Sequence, residues 1–309
     1  MKKKAIIISI KGYQLSNKEK ILLANEKPWG LILFKRNIKS FVQTKKLIKN
    51  IRKITRDKKF PIMVDEEGGA VTRFNKIINH NISQRDFGNF YKNNNKMGLI
   101  IYKNYINNLT IFLKKIGINI NTVPVLDVVR KNTNKIIGSR SFSRDPKIVR
   151  KLGQVCVKQY EFNKLATIIK HVPGHGCAKQ DSHLKMPKVN LSYNSLNKID
   201  FLPFKLNSSK FAMTAHILYS RIDKLNVATF SKKIISEIIR KKMNFKGILI
   251  SDDISMKALK YDLVTNAKKS LEAGCNIVLY CAGIYKDTNK LLKALPFIDN
   301  FTAKKTSEF

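Results

Sequence analysis

Carboxylates and imidazoles are scarce in this chain and unevenly placed. Its 309 residues include 21 acids and five histidines. Five of the acids fall in two short runs, Asp65-Glu66-Glu67 and Asp252-Asp253, and His171, His175, His183 and His216 lie within 46 residues of one another. The segment 170–183 reads KHVPGHGCAKQDSH. In it Asp181 stands two residues before His183, a spacing that lets the carboxylate orient and polarise the imidazole as an acid–base dyad. A metal site built on His171, His175 and His183 is the competing reading. Pro173, Gly174 and Gly176 stop a helix from starting directly, so these groups belong to a loop.

Positioning them requires rigid elements. Apolar runs of four to seven residues alternate with longer stretches of helical period, the pattern of a parallel α/β protein. Strands are expected over 5–10, 30–34, 61–65, 119–125, 166–170, 211–215, 247–251 and 276–280. Helices are expected over 18–25, 41–55, 97–116, 146–162, 195–206, 231–243, 265–273 and 288–295. Pro146 after Asp145 is a start signal and Gly274 after Ala273 a stop signal. Eight βα units without a break in composition predict one (β/α)₈ TIM-type barrel spanning 1–309, with an open doubly wound sheet as the alternative. The last helix, after Leu291, reads as abbreviated. The acids and histidines follow the third, fifth, sixth and seventh apolar runs, at the carboxyl ends of strands, where a barrel carries its chemistry.

Composition narrows the function further. The formal charge is +39, from 60 basic residues against 21 acidic ones. Of the basic residues 49 are Lys and 11 are Arg, scattered along the chain without aromatic interleaving, so the charge reads as lysine drift and no nucleic-acid partner is expected. The apolar start 5–10 is too short for a secretory signal, and no stretch approaches the length of a membrane span. Cys156, Cys177, Cys275 and Cys281 have no ligand-like spacing and read as reduced thiols. A cytoplasmic monomer with no membrane partner is expected.

Three segments resemble the signatures of family 3 glycoside hydrolases: DEEGGAVTRF (65–74), KHVPGHGCAKQDSH (170–183) and IIRKKMNFKGILISDDIS (238–255). GLILFKRN, PVLDV, IGSRSFSRDP and MTAHILYSRID support it, so the resemblance covers nearly the whole chain. The Asp-Ser-His loop is similar to that of the single-barrel bacterial β-N-acetylglucosaminidases of cell-wall recycling. The resemblance implies a retaining, exo-acting hydrolase that removes terminal β-linked N-acetylglucosamine from anhydro-muropeptide fragments, with no cofactor and no metal. By the same resemblance Asp252 is the nucleophile, with Asp253 the weaker candidate, and His183 the acid/base partnered by Asp181. Asp65, Arg73, Arg140, Lys170 and His171 bind the sugar.

The chain departs from that pattern at Ser9, where an acid is usual, at Glu66, commonly Gln, and at Ala70, commonly Arg. The last two changes are expected to alter charge beside the sugar pocket. Two other readings compete: a metal-dependent amidohydrolase using Lys170, His171, His216 and Asp252, which lacks the His-x-His pair expected after the first strand, and a catalytically retired barrel that binds cell-wall fragments.

Overall fold

Each short apolar run is bounded by turn-forming or charged residues and becomes a strand. The computed structural model describes every residue except Met1, Asn132, Lys135, His183, Leu206, Glu308 and Phe309. Eight parallel strands close into a barrel in chain order: β1 (Lys4–Ile8), β2 (Pro28–Leu33), β3 (Ile62–Val64), β4 (Ile120–Asn121), β5 (Ala166–Val172), β6 (Phe211–Thr214), β7 (Ile248–Asp253) and β8 (Ile277–Leu279). Closure is made where β8 pairs with β1, Ile6 beside Val278.

The helices outside are α1 (Asn17–Glu26), α2 (Phe41–Thr55), α3 (Gln84–Asn93), α4 (Asn95–Ile116), α5 (Pro146–Phe162), α6 (Tyr193–Lys198), α7 (Leu263–Ala273), α8 (Tyr285–Ala294) and α9 (Asn300–Thr306). A wider, π-wound helix, Ile234–Lys242, separates β6 from β7. Local chemistry sets the ends. Ser16 and Glu19 form a reciprocal capping box on α1, Asp145 accepts the Lys147 amide ahead of Pro146 on α5, and Gly274 ends α7 with φ +117°. No described helix is long and apolar enough to cross a membrane.

Two helical expectations change. The stretch 195–206 is not one helix: α6 stops at Lys198 and a single tight turn follows at Leu202–Phe204. Pro203 has no amide for a continuing helix, and Phe201 and Phe204 are both turned into the core. At the carboxyl end α8 runs to Ala294 and α9 follows it, with the Trp29 indole donating to Thr306 at 3.3 Å. That segment returns to the base of β1, where Ile298 donates its amide to Lys3.

Side chains within a strand divide between two cores. Ile7, Ile248, Ile250, Ile277 and Leu279 point into the barrel with Trp29, Met63 and Phe211, whereas Ile6, Ile8, Leu249 and Val278 face the helices. Both faces are apolar, which is why the strands read as continuous apolar runs without alternation. The polar ends of these strands are left to build the mouth. Ile250 is fully buried inside the barrel, so Ile250→Ala should lower unfolding free energy by about 2–5 kcal/mol. Urea unfolding would measure this, and a loss below about 1 kcal/mol would mean that the barrel interior collapses around the cavity.

Candidate active site

The carboxyl ends of the strands surround a pocket of about 320 Å³. Asp65, Arg73, Arg140, Lys170, His171 and Asp252 all line it, together with Glu67, Asp253 and the ring of Phe34. Six of the eight residues singled out in the sequence therefore share one cavity. Asp181 is not among its lining residues, and His183 lies outside the described residues.

The pocket is organised by buried charge. The Lys170 ammonium, on β5, reaches Asp65 at 3.1 Å, the Thr122 hydroxyl at 2.9 Å and Glu67 at 2.6 Å. Glu67 also receives a two-pronged pair from Arg140, Nε at 2.8 Å and Nη2 at 2.9 Å. Asp65 receives Arg73 Nη2 at 3.1 Å and the Thr122 hydroxyl. Burial on its own would raise both carboxyls. Lys170 and Arg73 outweigh it at Asp65 and hold that group well below the usual carboxylate range; Arg140 and Lys170 outweigh it at Glu67 and lower it to about 2. Arg73 stacks on Phe34, 5.4 Å to the ring centroid, and its Nε is buried without a protein partner. A ligand oxygen in the pocket is the kind of acceptor this donor lacks.

Besides Glu67, sequence reasoning missed Asp127. Fully buried beyond β4, it accepts from His171 Nδ1 at 2.7 Å and from the His175 amide at 2.5 Å. It thus fixes the orientation of the pocket imidazole and the first turn of the histidine loop together. Burial would raise it, but His171 and these hydrogen bonds keep it low. Its signal was present in PVLDV, an acid two residues past an apolar run.

The rest of the loop is tied down in the same way. Tyr219 donates to the Gly174 carbonyl at 2.7 Å, and a Cβ at Gly176 would overlap the Val128 carbonyl, so that position requires glycine. Lys188–Val189 pairs in parallel with Leu218–Tyr219. Ser182 sits between Asp181 and His183, with its hydroxyl 3.1 Å from His175 Nε2 and its carbonyl accepting from Ala258 just after β7. Burial pushes His175 down to about 4, so at neutral pH it is an uncharged strut.

His216 does not line the pocket. Its Nδ1 lies 2.7 Å from the Thr229 hydroxyl and its Nε2 3.0 Å from the Asp253 carbonyl, which occupies both ring nitrogens. Among the described residues no three His, Cys, Asp or Glu side chains are grouped to hold a metal ion. The two adjacent acids of β7 also differ. Asp253 accepts from Ser255 amide and hydroxyl and from the Cys281 amide, at 3.0, 2.7 and 3.2 Å, and burial raises it. Asp252 Oδ1 accepts the Asp253 amide at 2.8 Å.

The three departures leave the pocket largely untouched. Ser9 accepts from Arg36 at 2.7 Å, Ala70 is exposed, and neither lines the cavity. The expectation that Glu66 adds charge beside the sugar is corrected. Glu66 is fully buried behind the lining, held by Thr72, His80 and the amides of Arg73 and Phe74.

Glu67 has a depressed folded-state value, so its ionisation stabilises the fold above the unfolded value near ~4.3, and that stability is lost as pH falls toward about 2. Glu67→Gln should cost about 3–5 kcal/mol at neutral pH by stranding Arg140 and leaving Lys170 paired with Asp65 alone. It should also reduce the fall in urea midpoint between neutral and strongly acid pH. An unchanged acid slope would show that Glu67 does not titrate with unfolding.

Comparison with known proteins gives a consistent result. Residues 3–302 match the glycosyl hydrolase family 3 N terminal domain. A β-hexosaminidase of Nitrosomonas eutropha is 31% identical over 281 residues, covering 89% of this chain and 80% of the relative. One of Hydrogenovibrio crunogenus is 34% identical, covering 89% and 78%. Among solved structures, NagZ from Neisseria gonorrhoeae in complex with N-trifluoroacetyl-D-glucosamine superposes with a TM-score of 0.90 at 29% identity, covering 99% of this chain and 89% of that one.

Proposed function

The chain belongs to glycosyl hydrolase family 3, and from that premise we propose that it is a retaining exo-β-N-acetylglucosaminidase acting on terminal β-linked N-acetylglucosamine of cell-wall anhydro-muropeptide fragments. The observation that carries this reading is the meeting of Asp252 with Asp65, Arg73, Arg140, Lys170 and His171 in one pocket of about 320 Å³. The β-hexosaminidase relatives and the amino-sugar complex of the gonococcal protein support the substrate class.

In this mechanism Asp65 and Arg73 grip sugar hydroxyls, Lys170 and Arg140 fix the carboxylates behind them, and the ring is held with its anomeric carbon toward Asp252. The Asp252 carboxylate attacks that carbon while His183, oriented by Asp181, protonates the glycosidic oxygen, and the aglycone leaves. His183 then takes a proton from water, which attacks the same carbon and releases Asp252. Asp253 is the poorer nucleophile because its carboxylate is occupied by Ser255 and the Cys281 amide. A single catalytic barrel over 1–309, working as a monomer in peptidoglycan recycling in the cytoplasm, completes the reading. The four free cysteines are compatible with a reducing compartment.

Asp252→Asn should reduce turnover by at least about 10⁴-fold without changing the unfolding midpoint. A 2-deoxy-2-fluoro or 5-fluoro glycoside should label Asp252, as read by peptide mass analysis; label on Asp253, or none, would refute the assignment.

His183→Ala should cost about 10²–10⁴-fold on a disaccharide and much less on a nitrophenyl glycoside in the glycosylation step, because the phenolate leaves with little protonation. Asp181→Asn should give a milder version of the same split. Equal losses on both substrates would move the acid/base role to another residue, and His171 on Asp127 would be the next candidate.

A further inference from the structure

At the opposite end of the barrel the amino ends of β3 to β6 border a second concavity, of about 600 Å³. That end of a barrel is ordinarily a packed, structural face, whereas this volume is in the range of small-molecule sites. Its buried lining includes the hydroxyls of Thr167 and Ser209, 3.2 Å apart, and the apolar side chain of Leu165. Its charged lining is Arg52, Lys58, Lys59, Lys164 and Lys210 against one carboxylate, Glu161.

Two observations set this cavity apart from the general excess of lysine. Cations near helix carboxyl ends often serve the exposed carbonyls there, but here five of those carbonyls are already satisfied. At the end of α5, those of Gln159, Tyr160 and Glu161 accept the amides of Asn163, Leu165 and Lys164; at the end of α2, those of Arg52 and Lys53 accept from Asp57 and Arg56. Lys58, Lys59 and Lys164 make no ion pair among the described residues. The second observation is a pair of orphaned donors. Arg52 spends Nη2 on the Gly117 carbonyl at 2.9 Å, but its Nε is buried without a partner, and so is the amide Nδ2 of Asn207, one residue before Ser208 of the lining. Buried donors without acceptors are rare because each costs about 1–3 kcal/mol.

We propose that this basal cavity is a binding site for a small soluble anion bearing one or more phosphate groups. Phosphate presents several acceptor oxygens to a lining that carries a guanidinium and four ammonium groups, and the apolar wall at Leu165 accommodates an organic moiety beside it. The site is independent of the glycosidase pocket at the other mouth and uses none of its residues.

Isothermal titration with inorganic pyrophosphate, at a fixed ionic strength of about 0.15 M, tests it. The protein should bind at one saturable site, and Lys58→Glu with Lys164→Glu should weaken that binding by about tenfold or more. The matched pair Lys232→Glu with Lys286→Glu removes the same charge from exposed positions outside the cavity and should leave binding within about twofold. Circular dichroism melting checks that both variants fold, and Lys58→Gln with Lys164→Gln serves if the reversal does not. No saturable binding, or equal weakening by the two pairs, would show an adventitious effect of net charge only and overturn the proposal.

Discussion

Lys170 is the ion on which the mouth of this barrel depends. An ammonium 2% exposed is untenable in apolar surroundings unless its charge and its three protons are matched. The match comes from β3, whose end presents Asp65 and Glu67 two residues apart, and from β4, whose Thr122 hydroxyl donates to Asp65 while accepting from Lys170. Three consecutive strands are thereby joined by polar contacts at the end where their ladder stops. Each carboxylate is also shared, Asp65 with Arg73 and Glu67 with Arg140, so that two further loops are drawn onto the same centre. Loss of either carboxylate therefore strands an arginine, whereas Lys170 and the carboxylates each keep a second partner when one is lost.

Charge around the pocket is nearly balanced although the molecule carries +39. Asp65, Glu67, Asp252 and Asp253 face Arg73, Arg140 and Lys170 across the same cavity. A neutral sugar ring is served by this balance, because hydrogen-bond direction rather than net field then decides its pose. The excess positive charge lies on exposed lysines of helices and loops, where it acts on approaching anions through solvent and is screened within about 8 Å at physiological salt. Global charge and local chemistry are therefore separate properties of this chain.

The barrel was legible because its strands are buried on both faces, which leaves short unbroken apolar runs that only a doubly covered parallel sheet explains. All eight runs became strands, although β4 shrank to Ile120–Asn121 where the expected run was 119–125. The cis-proline Val123–Pro124 and the charge-bearing residues beyond it lie outside the regular ladder. Helix α3 went unread because its first turn, Gln84-Arg85-Asp86, is polar and its buried positions are only Gln84, Phe87 and Gly88. At the site, Asp65, Lys170 and Asp252 could be picked out because each directly follows or ends an apolar run. Asp127 carried the same signal in PVLDV but was passed over because it acts on another residue, His171; Ser182, which fastens the loop beside Ala258, leaves no spacing in the sequence.

Glu66 shows how a departure from a family pattern is absorbed by its neighbours. Its two oxygens receive four donors: Thr72 and His80 on one, the amides of Arg73 and Phe74 on the other. A carboxylate accepts at both ends, whereas an amide would turn a donor toward one of these pairs. Glutamate is therefore the residue that this set of donors demands, and His80 with Tyr105 beyond it extends the chain of hydrogen bonds away from the sugar pocket. Burial raises the Tyr105 phenol, which keeps a hydroxyl beside His80 Nε2. Since Glu66 holds the backbone of Arg73 and Phe74, it sets the line along which the Arg73 guanidinium crosses Phe34 and reaches Asp65. A substitution that looks like added charge at the pocket is, by this geometry, a brace for the arginine that lines it.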